Sequence, residues 1–81
     1  MDLNNQEKTP VQDALAPLTQ MEKKVVSLIS HGLSTLEIAD RLCLSKSTVK
    51  THRHNICRKL KLPKNQNALL NWVLLNNHLI R

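Results

Sequence analysis

An 81-residue chain of 9.2 kDa has room for one hydrophobic core and no second domain. Twelve Lys and Arg against six Asp and Glu give +6 and a pI near 9.8, which calls for a polyanionic partner: duplex nucleic acid or an anionic membrane surface. The single glycine, Gly32, excludes a Gly-rich phosphate loop, and Trp72 as the only aromatic leaves no platform for stacking single-stranded bases.

The charge is unevenly placed. Residues 1–20 hold Asp2, Glu7 and Asp13 against Lys8, so the acid excess lies there and the basic excess lies beyond. Residues 1–17, with Pro10 and Pro17, read as a flexible arm or linker; residues 18–81 read as the folded domain.

Helix punctuation begins at Thr19. Thr19-Gln20-Met21-Glu22 has capping-box form, and Met21, Val25, Leu28 and Ile29 follow at helical spacing. His31-Gly32 ends this first helix, glycine being suited to a left-handed terminal residue. Ser34-Thr35-Leu36-Glu37 forms a second capping box, opening a short helix with Ile38, Ala39 and Leu42 turned inward. Ser45 caps a third helix, in which Val49, His52, Ile56 and Leu60 share a face and Pro63 enforces a stop by residue 62. A fourth runs from about Asn65 to Leu79, with Ala68, Leu69, Trp72, Leu75 and Leu79 covering the core. Leu70 and Leu74 are left on another side and Val73 at the margin. No segment alternates with period two, so the fold class is all-α, with four helices.

Only Cys43, Leu44 and Ser45 separate the second and third helices. So short a joint imposes the sharp crossing of a helix-turn-helix, with Ala39 at the close approach and Cys43, small and apolar, packed in the turn. From Lys46 to Lys64 the bases are Lys46, Lys50, Arg53, Arg58, Lys59, Lys61 and Lys64, without one acid. The outward face of the third helix holds Ser47, Lys50, Thr51, His54 and Arg58: small or polar at its start and cationic along its length. Such a face suits a helix laid in the major groove.

Leu18-Thr19-x-x-Glu22, Gly32-Leu33-Ser34-x-x-Glu37-Ile38-Ala39 and Leu44-Ser45-x-x-Thr48-Val49-Lys50-x-His52-x-x-Asn55-Ile56-x-x-Lys59-Leu60, in this order and spacing, resemble the LuxR/GerE-type DNA-binding domain over residues 18–80. The resemblance implies a promoter-binding transcriptional regulator whose third helix enters the major groove and which dimerises through the fourth. It implies that Lys50, Thr51 and His54 face bases, while Thr48 and Asn55 hold the backbone. Lys61 stands where that family often has glycine, and Asn65 where it has a following arginine. Members often sit behind a receiver or ligand-binding domain, and stand-alone members also exist.

The remaining interface candidates follow from local chemistry. Ser45, Lys46, Ser47 and Thr48 lie at a helix N-terminus that favours a phosphate. Ser34 and Thr35 begin the second helix and either grip the neighbouring phosphate or serve as caps alone. Lys50 suits guanine O6 and N7, Thr51 a thymine methyl, and Arg58 and Lys61 the backbone. The dimer stripe is Leu70, Val73, Leu74 and Asn77. Cys43, His52, His54 and Cys57 do not form a zinc site, because His52 and His54 project to opposite sides of one helix. No nucleophile-base relay accompanies either thiol, so an enzyme is not expected, nor is any cofactor. The longest nearly apolar stretch, Leu69 to Leu75, is far short of a membrane span, and no signal peptide opens the chain. The expected location is therefore the cytoplasm, at the nucleoid when bound. Expected partners are double-stranded promoter DNA, a second copy, and RNA polymerase or another regulator, with no membrane. Two other readings stand beside this one: an interaction module pairing with another regulator through the fourth helix, and a sigma-like promoter-recognition domain.

Overall fold

The computed structural model describes residues 15–63 and 67–80, apart from the side chains of residues 77–79. Four helices account for the described core: α1 (Gln20–Ser30), α2 (Thr35–Leu42), α3 (Lys46–Lys59) and α4 (Ala68–Ile80), with no strand among the described residues. Asn65, where the fourth helix was expected to start, lies outside the described residues, as do the side chains of Asn77 and Leu79.

Both capping boxes form. The Glu22 N–H donates to Thr19 Oγ1 at 3.1 Å while the Thr19 N–H donates to Glu22 Oε1 at 2.9 Å. Ser34 and Glu37 repeat the exchange at 3.2 and 2.8 Å. Each box satisfies backbone donors that a helix N-terminus otherwise leaves without partners.

Three helix ends share one device. After α1, the Gly32 N–H donates to the Ile29 carbonyl and the Leu33 N–H to the Leu28 carbonyl, with Gly32 at φ 90. This is the Schellman arrangement. After α2, Leu44 donates to Ala39 and Cys43 to Asp40; after α3, Leu62 donates to Cys57 and Lys61 to Arg58. Cys43 and Lys61 thus occupy the left-handed position, at φ 58 and 59, that glycine fills after α1. The stop of α3 is this turn, which precedes Pro63.

Fully buried Val25, Val26, Ile29, Ile38, Val49, Ile56, Leu69 and Val73 form the centre, joined by Leu18 and Ala39. α1 packs on all three other helices, α2 pairs with α3, and α4 lies over α1 and α3. On α1, Val26 is buried while Met21 and Leu28 are only half-buried, because three neighbours reach this helix from more than one side. Leu15, within the span expected to be an arm, packs against the core.

The fourth helix corrects two expectations. Val73, placed at the margin and in the dimer stripe, is wholly buried, whereas Leu75, placed in the core, is 78% exposed. Leu69 and Val73 lie one turn apart and both face α1 and α3; Leu75, two residues on, is rotated about 200° and points away. Cys43 is also corrected: its left-handed backbone leaves the side chain exposed instead of packed in the turn.

Candidate nucleic-acid interface

α3 is held by its inward residues, Val49 and Ile56, both with no exposed surface. Its outward residues follow from that anchoring: Lys46, Ser47, Lys50, Thr51, His54 and Arg58 are exposed, while Thr48 and Asn55 are half-buried at the flank. His52 is half-buried, on the other side from His54. Lys61 is exposed in the turn beyond the helix.

The N-terminus of α3 is organised by hydroxyls. Ser45 Oγ accepts the Thr48 N–H at 3.1 Å and lies 2.8 Å from Thr48 Oγ1 and 3.1 Å from Ser47 Oγ. No acidic residue occupies this first turn, so the free N–H groups and the positive end of the helix dipole meet no internal carboxylate. α2 differs. There the Glu37 carboxylate sits at the cap, held below its usual range by hydrogen bonds from Ser34, the backbone N–H foremost. Ser34, exposed, and Thr35, half-buried, therefore begin a helix whose end already carries a negative charge. An additional anion is favoured more strongly at α3 than at α2.

Arg58 Nη2 lies 3.5 Å from Asn55 Oδ1, a weak contact that joins two candidate backbone-holding side chains. Lys59, one of the seven bases of the acid-free stretch, forms an ion pair with the buried Glu22 of α1, Nζ to Oε1 at 2.8 Å. Sequence reasoning had no signal for this pair, because a capping glutamate ordinarily faces solvent. Lys64 lies outside the described residues.

Leu70 and Leu74 are exposed on α4, and Leu75 extends that apolar surface. Cys43 and Cys57 are free thiols; burial, only partly offset by Arg53, pushes the Cys57 thiol up. Among the described residues no group of three or more His, Cys, Asp and Glu is arranged to hold a metal ion, and no helix is long and apolar enough to cross a membrane.

The family model described as bacterial regulatory proteins, luxR family, matches residues 16–71. An uncharacterized transcriptional regulatory protein of Bacillus subtilis (strain 168), YxjL, is 38% identical over 53 residues, covering 65% of this chain and 24% of that protein. The HTH-type transcriptional regulator MalT of Vibrio campbellii (strain ATCC BAA-1116) is 35% identical over 68 residues, covering 84% of this chain and 8% of its own length. The chain thus spans a small part of both relatives. No solved structure matches. The family match takes in α1, α2, α3 and the start of α4, and by it the chain belongs to the luxR family of bacterial regulatory proteins, with α2 and α3 as its helix-turn-helix.

Proposed function

We propose that this domain binds duplex promoter DNA sequence-specifically as a two-fold dimer, with α3 in the major groove and α4 at the dimer contact. The observation that carries the reading is the outward face of α3, where Lys50, Thr51 and His54 are exposed beside an N-terminus free of carboxylate. Ser45, Lys46, Ser47 and Thr48 position the helix on phosphate, with Asn55, Arg58 and Lys61 continuing along the backbone. Ser34 and Thr35 contribute through their hydroxyls. Both relatives are named as transcriptional regulators, which supports the same role for this chain; action at the nucleoid, with RNA polymerase or another regulator as a further partner, belongs to the same proposal.

Selection of bound sequences from a random duplex pool, followed by salt titration of the winner, tests this reading. Four or five phosphates neutralised per subunit give log K against log salt a slope of roughly −7 to −9 for a dimer. A two-fold symmetric winner is expected, with half-sites about one helical turn apart. A slope near zero overturns DNA binding.

The exposure of Leu70, Leu74 and Leu75 favours a second reading, pairing with another regulator through α4 with little DNA contact. Loss of regulation in Lys50→Ala/Thr51→Ala supports readout; loss confined to Leu70→Asp/Leu74→Asp supports pairing.

A further inference from the structure

Two bases of α3 are drawn half into the protein, Arg53 and Lys59, and their charges are treated differently. Lys59 has the Glu22 carboxylate at 2.8 Å. Arg53 forms no ion pair among the described residues, and burial lowers its basicity, with Cys57 beside it restoring only part. Carboxylates are scarce: beyond residue 14 the chain has only Glu22, Glu37 and Asp40. The first is committed to Lys59 and Thr19, the second to Ser34. A half-buried guanidinium with no ion pair among the described residues is open to a counter-charge from outside the protein.

Its position on the helix suggests where a counter-charge would come from. At about 100° per residue, Arg53 falls within about 60° of Lys46 and Lys50, both of which are exposed. Thr48 and Asn55, also half-buried, occupy a comparable sector on the other flank. A helix lying in the major groove has one phosphate strand along each flank.

We infer that Arg53 is a phosphate-binding residue, forming with Lys46 a cationic flank that grips one strand while Thr48 and Asn55 hold the other, and Lys50 and Thr51 between them stay on the bases. On the helical projection Arg53 stands between buried Val49 and exposed Lys50, so a half-buried stem and a planar fork are available to a phosphate. The inference rests on the DNA-binding reading and adds to it a residue that lies between the inward and outward faces of α3.

The test uses the selected duplex with the parent, Arg53→Met and Arg53→Gln. Both variants are expected to weaken binding roughly tenfold per subunit, uniformly across sequences. The salt slope should become shallower by about 1 per subunit. Without DNA, Arg53→Met should melt at or above the parent temperature, because it removes a half-buried cation that has no ion pair among the described residues and keeps an apolar stem; a structural role for the guanidinium predicts a lower melting temperature. A steep parent slope left unchanged in both variants overturns this inference alone, as does a large loss of stability in both. A parent that binds no duplex overturns the DNA-binding reading and this inference with it.

Discussion

One carboxylate oxygen of Glu22 receives both the Thr19 N–H at 2.9 Å and the ammonium of Lys59, 37 residues along the chain, at 2.8 Å. The cap of α1 and the last turn of α3 therefore close on one buried atom. The pair fixes how the candidate recognition helix leans on the body of the domain.

This geometry predicts a specific acid sensitivity. Burial alone would push the Glu22 carboxyl up, but the Lys59 and Thr19 contacts outweigh it and hold it below its ordinary value of 4.5. The folded state binds that proton less readily than the unfolded chain. Its contribution is complete above the ordinary value and fades as pH falls through the lower folded one. Glu22→Gln should cost about 1–3 kcal/mol at neutral pH, each kcal/mol lowering the melting temperature by about 4–8 °C. Thermal melts of both proteins should converge in acid. A difference that stays constant with pH would refute the account.

The three left-handed turn residues should respond in opposite directions. Cys43→Gly and Lys61→Gly remove side-chain strain at φ 58 and 59 and should each stabilise by roughly 0.5–1 kcal/mol. Gly32→Ala should destabilise by about 1–2 kcal/mol through backbone strain alone, since an added Cβ would meet nothing within 4 Å. Urea denaturation of the three variants checks the signs. Stabilisation by Gly32→Ala would contradict the Schellman assignment.

Cations at different points of α3 should affect binding in different ways. Lys50→Ala is expected to cost about 1–3 kcal/mol on the selected duplex and to relax base preference at one position per half-site. Arg58→Ala, near the end of the helix, should weaken all sequences alike and flatten the salt slope by about 1 per subunit. Competition titrations with single-base variants separate the two. Equal loss of specificity in both would argue against the placement of Lys50.

Neighbouring residues of α4 separate folding from association. Leu74 is 50% exposed, so Leu74→Asp should leave thermal stability within about 0.5 kcal/mol and disrupt the dimer. Val73 has no exposed surface, so Val73→Ala should cost roughly 2 kcal/mol of stability with no direct effect on pairing. Sedimentation and denaturation together measure both. A parent that sediments as a monomer, free and on DNA, would reject α4 as the dimer contact.

Much of the framework was legible along the chain because it depends on near neighbours. Thr19 with Glu22 and Ser34 with Glu37 sit at the spacing at which a cap closes on itself, and both boxes form. The stripe of Val49 and Ile56 on α3 is likewise a matter of helical period, and with it the outward direction of Lys50, Thr51 and His54.

Tertiary contact decided the rest, for a physical reason in each case. The α4 sequence is apolar nearly all round, so periodicity could not say which leucines face α1 and α3; packing buried Leu69 and Val73 and left Leu75 out. The low acid count announced a basic domain with an anionic partner, yet not which cations are free. That depended on folding Glu22 against Lys59 across the core while leaving Arg53 half-buried without such a partner among the described residues. By itself the sequence determined the helices, their caps and the sign of the surface charge, because these follow from local geometry and composition. Only the three-dimensional packing decided which charges serve the fold and which stay open to a ligand, because ion pairing depends on distance in space and not on separation along the chain.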